Sequence, residues 1–137
     1  MKTIITSILL ALVSLTINAQ EEKTFTLKVT VNNASTDDGK MVYALNTAET
    51  WNKKPYQSTS IEIKDGKAIA TFENIPQGEY AVTVLHDKNN NQRMDFADNG
   101  MPTEAYGLSN NPMSYGPPQW SEAKFEISEN KEIIVRL

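Results

Sequence analysis

The fold class is indicated by one stretch of alternating residues, Thr24-Phe25-Thr26-Leu27-Lys28-Val29-Thr30-Val31. Every second side chain in it is apolar, and the side chains between them are mostly polar or charged. Because successive side chains of a β-strand point to opposite faces, this alternation predicts a strand with one face on a core. An amphipathic helix would instead repeat its apolar residues at every third or fourth position.

The same period of two recurs through most of the remaining chain, separated by turn-forming residues. With the first stretch, the pattern predicts seven strands and no helix after the N-terminal segment. The other six strands are expected at 41–45, 61–63, 68–72, 80–86, 121–127 and 133–137. Seven short antiparallel strands are typical of an all-β, immunoglobulin-like sandwich of two sheets, here with one long ordered loop over residues 87–119.

A tight hairpin is expected at Asp65-Gly66, between two of these strands. Asp-Gly favours a two-residue turn because such turns need positive φ at both central residues. The expected register pairs Ile63 with Ala68, and Ile61 with Ala70.

The N-terminal residues have the pattern of a secretory signal. Lys2 precedes an apolar run over residues 4–17, and the small residue Ala19 follows. We expect a helical signal peptide over residues 1–19 and cleavage after Ala19. The run is shorter than the roughly 20 apolar residues of a membrane-spanning helix, so no integral membrane segment is expected in the single domain of residues 20–137. The expected location is the periplasm, the cell surface or the extracellular medium.

The composition excludes several classes of chemistry. The chain has no cysteine, which excludes a lipid-modified cysteine at the cleavage site and disulfide bonds. Its net charge is −4 and it has no cluster of Lys and Arg, which argues against nucleic acid as a partner. A glycan or a protein is the expected kind of ligand.

The loop over residues 87–119 begins with regularly spaced oxygen-bearing side chains. With Asp87 as position 1, such side chains also occupy positions 3, 5, 9 and 12. Calcium-binding loops use this spacing because alternate side chains and the backbone carbonyl at position 7 wrap a hard cation. The predicted ligands of a structural calcium ion are Asp87, Asn89, Asn91, Asp95 and Asp98, with the carbonyl of Arg93.

Two residues depart from the calcium-loop pattern. Gln92 takes position 6, where glycine normally makes the sharp turn, and Asp98 is shorter than the usual bidentate glutamate. The alternative hypothesis is a metal-free surface turn, since Asn and Asp side chains bond to their own backbone and tolerate left-handed conformations.

Aromatic residues outside the strands form a second candidate site. A carbohydrate- or peptide-binding surface would use Trp51, Tyr56, Glu104, Tyr106, Tyr115 and Trp120. Amphipathic rings suit such a surface because they offer apolar area and a polar tip. The alternative is that these rings fold the long loop back onto the sandwich as a small core, since a long loop needs burial to be ordered.

Catalytic patterns are sparse, and the expected function is non-enzymatic. His86 is the only histidine, so a zinc site of several imidazoles is excluded. By its place in the strand pattern, His86 is expected at the rim of the core. No G-x-S-x-G elbow occurs. A hydrolase that pairs Glu104 with Asp95 or Asp98 is the remaining enzymatic hypothesis.

One combination of motifs is similar to a known family. Residues 72–82 resemble the hydrophobic-Pro-x-Gly-x-Tyr corner of prealbumin-like and Cna-B-like β-sandwiches. The later motifs are His86-Asp87-x-Asn89-x-Asn91-x-x-x-Asp95, Gly100-x-Pro102-x-Glu104-x-Tyr106-Gly107-Leu108-Ser109-Asn110-Asn111 and Trp120-x-x-Ala123-x-Phe125. Together they resemble domain of unknown function family 2141, exported bacterial proteins, over essentially all of residues 20–137. The resemblance implies a secreted β-sandwich with no established activity, whose members usually have glycine where this chain has Asn91 or Gln92.

Overall fold

The computed structural model describes residues 21–113 and 116–137. The predicted signal peptide and Tyr115 lie outside the described residues. In the part that is described, no helix is both long enough and apolar enough to cross a membrane.

Eight strands and one short helix form the described part of the chain. They are β1 (Thr24–Val31), β2 (Lys40–Asn46), β3 (Gln57–Glu62), β4 (Ala68–Pro76), β5 (Gly78–Asp87), β6 (Tyr106–Leu108), α1 (Trp120–Ala123), β7 (Phe125–Ile127) and β8 (Lys131–Ile134). The first sheet has the order β4-β1-β8, and the second has the order β3-β2-β5-β6, with β7 on β5. The prediction of an all-β fold with two sheets is confirmed.

The two sheets share one buried core. The apolar residues of the opening stretch, Leu27, Val29 and Val31, are fully buried and belong to the same cluster as Met41, Tyr43 and Leu45 of the second sheet. The Tyr43 hydroxyl donates a hydrogen bond to the Ala68 carbonyl at 2.8 Å, which links β2 to β4 across the core. Burial raises the pKa of Tyr43 because the charged phenolate would lose its hydration.

The predicted hairpin ladder at Asp65-Gly66 is wrong, although the turn itself forms. Both residues have positive φ, and Lys64 and Lys67 exchange backbone hydrogen bonds of 2.9 and 3.0 Å. Beyond that bridge, β3 pairs with β2 whereas β4 pairs with β1, so the chain passes from one sheet to the other. Turn chemistry is local, but the partner of each strand depends on residues far away in sequence.

Other sequence predictions also need correction. The described residues contain eight strands rather than seven, and β1 and β8 are parallel rather than antiparallel. The expected strand at 121–127 begins as α1, whose Ala123 is buried against Ala81 and Leu108. The loop over residues 87–119 contains β6, a strand too short to show a period of two.

The corner between β4 and β5 carries the chain from the first sheet to the second. Its Tyr80 hydroxyl donates a hydrogen bond of 2.7 Å to the carbonyl of Pro76, four residues earlier. The same bond to upstream backbone defines the tyrosine corner of β-sandwich domains. The Pro-x-Gly-x-Tyr motif therefore has a structural role in this chain.

Candidate functional site

Asp87 is the last residue of β5, and its side chain lies on the outer side of the second sheet. Tyr80, Val82 and Val84 face the shared core, whereas Ala81 belongs to a separate cluster on the opposite side. Because side chains alternate along a strand, Asp87 is directed to the same side as Ala81. Asp87 is nevertheless buried, with 1 % of its surface exposed, because the Asp/Asn loop (residues 87–98) folds over it.

The Asp87 carboxylate organises the first turn of the Asp/Asn loop. Its two oxygens accept the backbone N–H groups of Asn91 at 3.1 Å and of Gln92 at 2.8 Å. Gln92 adopts φ +62°, the left-handed conformation that glycine normally supplies at position 6. The turn expected at this position is therefore present without glycine.

Three side chains of the Asp/Asn loop converge on one point. The Asp95 carboxylate accepts amide N–H groups from Asn89 at 2.6 Å and from Asn91 at 2.7 Å. The Oδ1 atom of Asn91 accepts the backbone N–H of Arg93 at 3.1 Å. The arrangement brings four predicted ligands, Asp87, Asn89, Asn91 and Asp95, together within residues 87–95.

Asp98 is not brought to this point by any contact that the structure records. It is exposed and lies within a small hairpin that is held by the bridge between Phe96 and Pro102. Within the described ranges, no group of three or more His, Cys, Asp or Glu side chains is gathered as a metal site. The candidate oxygen ligands are instead of three kinds. They are the carboxylates of Asp87 and Asp95, the side-chain amides of Asn89 and Asn91, and the backbone carbonyl of Arg93.

The segment between β1 and β2 supports the loop from the side of the core. The Nε2 atom of His86, which is fully buried, lies 2.8 Å from the carbonyl oxygen of Asp38. Gly39 packs so closely that an added Cβ would overlap the carbonyl of Asp87. His86 is thus fully buried near the end of β5, and its bond to Asp38 ties β5 to this segment.

Glu104 is buried beside Asp87. It has 7 % of its surface exposed, and its Oε1 accepts the backbone N–H of Lys88 at 3.1 Å. Its Oε2 is buried and has no hydrogen-bond partner. Glu104 therefore belongs with the Asp/Asn loop rather than with an exposed ligand surface.

The candidate aromatic residues that the structure describes are dispersed rather than gathered into one platform. Trp51 and Trp120 meet edge to face, with ring centroids 5.8 Å apart, and pack on the cluster that contains Ala81. The ring of Tyr56 lies 6.1 Å from that of Tyr80. Tyr106, on β6, is 37 % exposed. The two tryptophans form the small core that the alternative hypothesis expects.

The comparison with protein families gives one match. Residues 29–135 match the family described as uncharacterized proteins conserved in bacteria, DUF2141, and this range covers most of the chain. The protein belongs to the DUF2141 family. No curated protein and no solved structure gives a match.

The Ser-Asn-Asn motif of this DUF2141 protein has a structural role that sequence reasoning missed. Ser109 Oγ donates to the Ala123 carbonyl and accepts the backbone N–H of Val82 at 3.0 Å. Asn111 accepts the backbone N–H of Arg136 at 2.8 Å and donates to the Ile134 carbonyl at 2.9 Å. Asn110 and Asn111 both have positive φ, which asparagine tolerates better than most residues.

The DUF2141 protein also has an apolar groove between its loops, with a volume of about 560 Å³. Phe96 and Met101 on its wall are 63 % and 62 % exposed. The groove is lined by Met94, Phe96, Gly100, Met101, Pro102, Tyr106, Gly116, Pro117 and Pro118. Exposed apolar surface of this kind is typical of interaction sites.

Proposed function

We propose that this DUF2141 protein is an exported, non-enzymatic β-sandwich whose Asp/Asn loop binds a structural Ca²⁺ ion. The ion would fix the loop, and the adjoining part of residues 87–119 would act as a recognition surface. The proposal is carried by the convergence of Asn89, Asn91 and Asp95 beside Asp87, with the left-handed turn at Gln92.

The hydrogen bonds at Asp95 come from the two asparagines that would be its fellow ligands. Rotating both asparagine amides by half a turn would put each Oδ1 where its Nδ2 now lies. The rotation would break the bonds that these oxygens accept from the backbone N–H groups of Asn91 and Arg93, and the bound cation would have to compensate for that loss. Asp95 would then share a bound cation with two amide oxygens, and the carbonyl of Arg93 would complete that side of the site. Oxygen donors of this kind are what Ca²⁺ prefers.

Calorimetry with Ca²⁺, after treatment of the protein with a chelator, tests the proposal. We expect heat of binding and a rise in melting temperature, because a ligand that binds only the folded state stabilises it. Asp95→Asn should weaken binding at least tenfold. The matched control is Asp65→Asn, the same change at an exposed turn on another loop. Absence of both heat and a melting shift at millimolar Ca²⁺ would reject the metal site.

The apolar groove supports a second candidate function, binding of an extended peptide with apolar side chains. Met94 and Met101 favour a peptide because flexible thioether side chains adapt to irregular apolar surfaces. A sugar platform would instead need flat, exposed rings side by side, whereas Trp51 and Trp120 pack on each other.

Fluorescence polarisation with a library of labelled decapeptides tests this second candidate. We expect the peptides that bind to carry several apolar side chains and to lose affinity with Phe96→Ser. Tyr56→Ser, at another exposed ring, is the control. Binding of soluble oligosaccharides in place of peptides, or peptide binding that ignores Phe96→Ser, would contradict it.

Export is supported by Lys2 and the apolar run over residues 4–17. Mass spectrometry of the protein from its native cells tests it. We expect the mature chain to begin at Gln20, and a chain that retains its first residues would contradict cleavage.

A further inference from the structure

The register of the β5–β6 ladder, continued two residues past its last pair of Leu85 with Tyr106, aligns Asp87 with Glu104. The backbone N–H of His86 donates to the Ala105 carbonyl at 2.9 Å, so the next residues in this register are Asp87 and Glu104. Residue pairs in an antiparallel ladder alternate between those that exchange backbone hydrogen bonds and those that do not, and the second kind has the closer side chains. In this register, Asp87 and Glu104 are a pair of the second kind. Both acidic residues are buried, and Glu104 is held by the backbone N–H of Lys88, the residue that follows Asp87.

The carboxylate of Glu104 is only half satisfied in this position. Its Oε1 accepts the N–H of Lys88, whereas its Oε2 is buried without a hydrogen-bond partner. Burial of an unpaired carboxylate oxygen is unfavourable. The cross-strand neighbour of Asp87 on β2 is the exposed Lys40, which faces Asp87 rather than the buried oxygen of Glu104 in the register of the sheet. A divalent cation beside Asp87 would give this Oε2 atom a partner.

We propose that Glu104, rather than Asp98, supplies the carboxylate that closes the cation site of the Asp/Asn loop. This inference rests on the proposed function and identifies a ligand from outside the loop. Asp87 can share the ion, because a carboxylate that accepts two N–H groups still has free lone pairs. Asp98 is exposed within the hairpin around Phe96 and Pro102.

The test compares two variants that each remove one carboxylate, Glu104→Gln and the matched control Asp98→Asn. Affinity for Ca²⁺ is measured by calorimetry, and Tb³⁺ luminescence gives an independent measure of binding. We expect Glu104→Gln to weaken Ca²⁺ binding at least tenfold and Asp98→Asn to change it less than threefold, since only a ligand contributes directly to coordination.

A measurement without metal separates a ligand from a merely structural residue. In excess chelator, Glu104→Gln should melt at or above the temperature of the unchanged protein, because the variant no longer buries an unpaired carboxylate oxygen and can still accept the N–H of Lys88. Melting temperatures lowered equally with and without Ca²⁺, together with unchanged affinity, would overturn the inference. Glu104→Asp provides a second variant, expected to bind more weakly because its carboxylate is shorter.

The two proposals fail in distinguishable ways. If the unchanged protein binds neither Ca²⁺ nor Tb³⁺, the proposed function fails and the role of Glu104 fails with it. If the protein binds Ca²⁺ and Glu104→Gln binds it equally tightly, only the inference about Glu104 is overturned. A tenfold loss confined to Asp98→Asn would also overturn it and would assign the closing carboxylate to Asp98.

Discussion

Gly39 packs directly against the backbone carbonyl of Asp87, at the point where β5 enters the Asp/Asn loop. The contact joins the segment between β1 and β2 to the candidate site, together with the bond between His86 and Asp38. Gly39 has φ +68°, so two separate features disfavour a side chain at this position.

Gly39→Ala should therefore lower the free energy of unfolding by about 2–5 kcal/mol, from left-handed strain together with overlap against backbone. Gly100→Ala is the matched control, because Gly100 also has positive φ but an added Cβ would meet open space. Strain alone predicts a loss of about 1–2 kcal/mol there. Urea denaturation measures both values, and equal losses would contradict the close contact.

Gln92→Gly should stabilise the Asp/Asn loop, because glycine adopts positive φ without steric strain. The expected gain in the free energy of unfolding is about 0.5–1 kcal/mol, measured by urea denaturation in chelator. The control is Asn90→Gly, at φ +56°. Since asparagine tolerates this conformation better than glutamine, its gain should be smaller. A loss of stability in Gln92→Gly would argue against strain at this residue.

Stability should fall with rising pH above about pH 10, where tyrosine titrates in an unfolded chain. Burial raises the pKa of Tyr43 in the folded state, so the folded protein keeps a proton that the unfolded chain loses. The free energy of unfolding should decrease by up to about 1.4 kcal/mol per pH unit in this range, and the contribution is fully present below it.

Urea denaturation at a series of alkaline pH values measures this slope. Tyr43→Phe should reduce the slope and should also lower stability at neutral pH by about 1 kcal/mol, because the Ala68 carbonyl loses its donor. A smaller slope should remain, since burial also raises the pKa of Tyr80. An unchanged slope in Tyr43→Phe would show that its phenol does not carry the effect.

Asn111→Gly should destabilise the C-terminal part of the sandwich. The change keeps the positive φ but removes the bonds to Arg136 and Ile134, at 2.8 and 2.9 Å. We expect a loss of about 1–3 kcal/mol in the free energy of unfolding. Asn90→Gly is the matched control, the same substitution at positive φ on an exposed turn. Similar stabilities for the two variants would mean that the Asn111 side chain contributes nothing.

The part of the candidate site that lies within residues 87–95 could be predicted, because its residues are close together in sequence. The spacing from Asp87 to Asp95 is enough to bring their side chains into one turn, because each is held by residues within that loop. Glu104 has no such local signal. Its burial beside Asp87 depends on the pairing of β6 with β5, and β6 is a strand of three residues.

The all-β class, the inward faces of the strands and the positions of the turns could be predicted without a structure, since they follow from alternation and from residues that accept positive φ. Three features follow only from the tertiary structure. They are the strand pairing on either side of Asp65-Gly66, the parallel pairing of β8 with β1, and the burial of Glu104 at the end of β5. The alternation of apolar residues determines which face of a strand is buried, but not which other strand it pairs with. Partner choice depends on packing between residues that are distant in the chain.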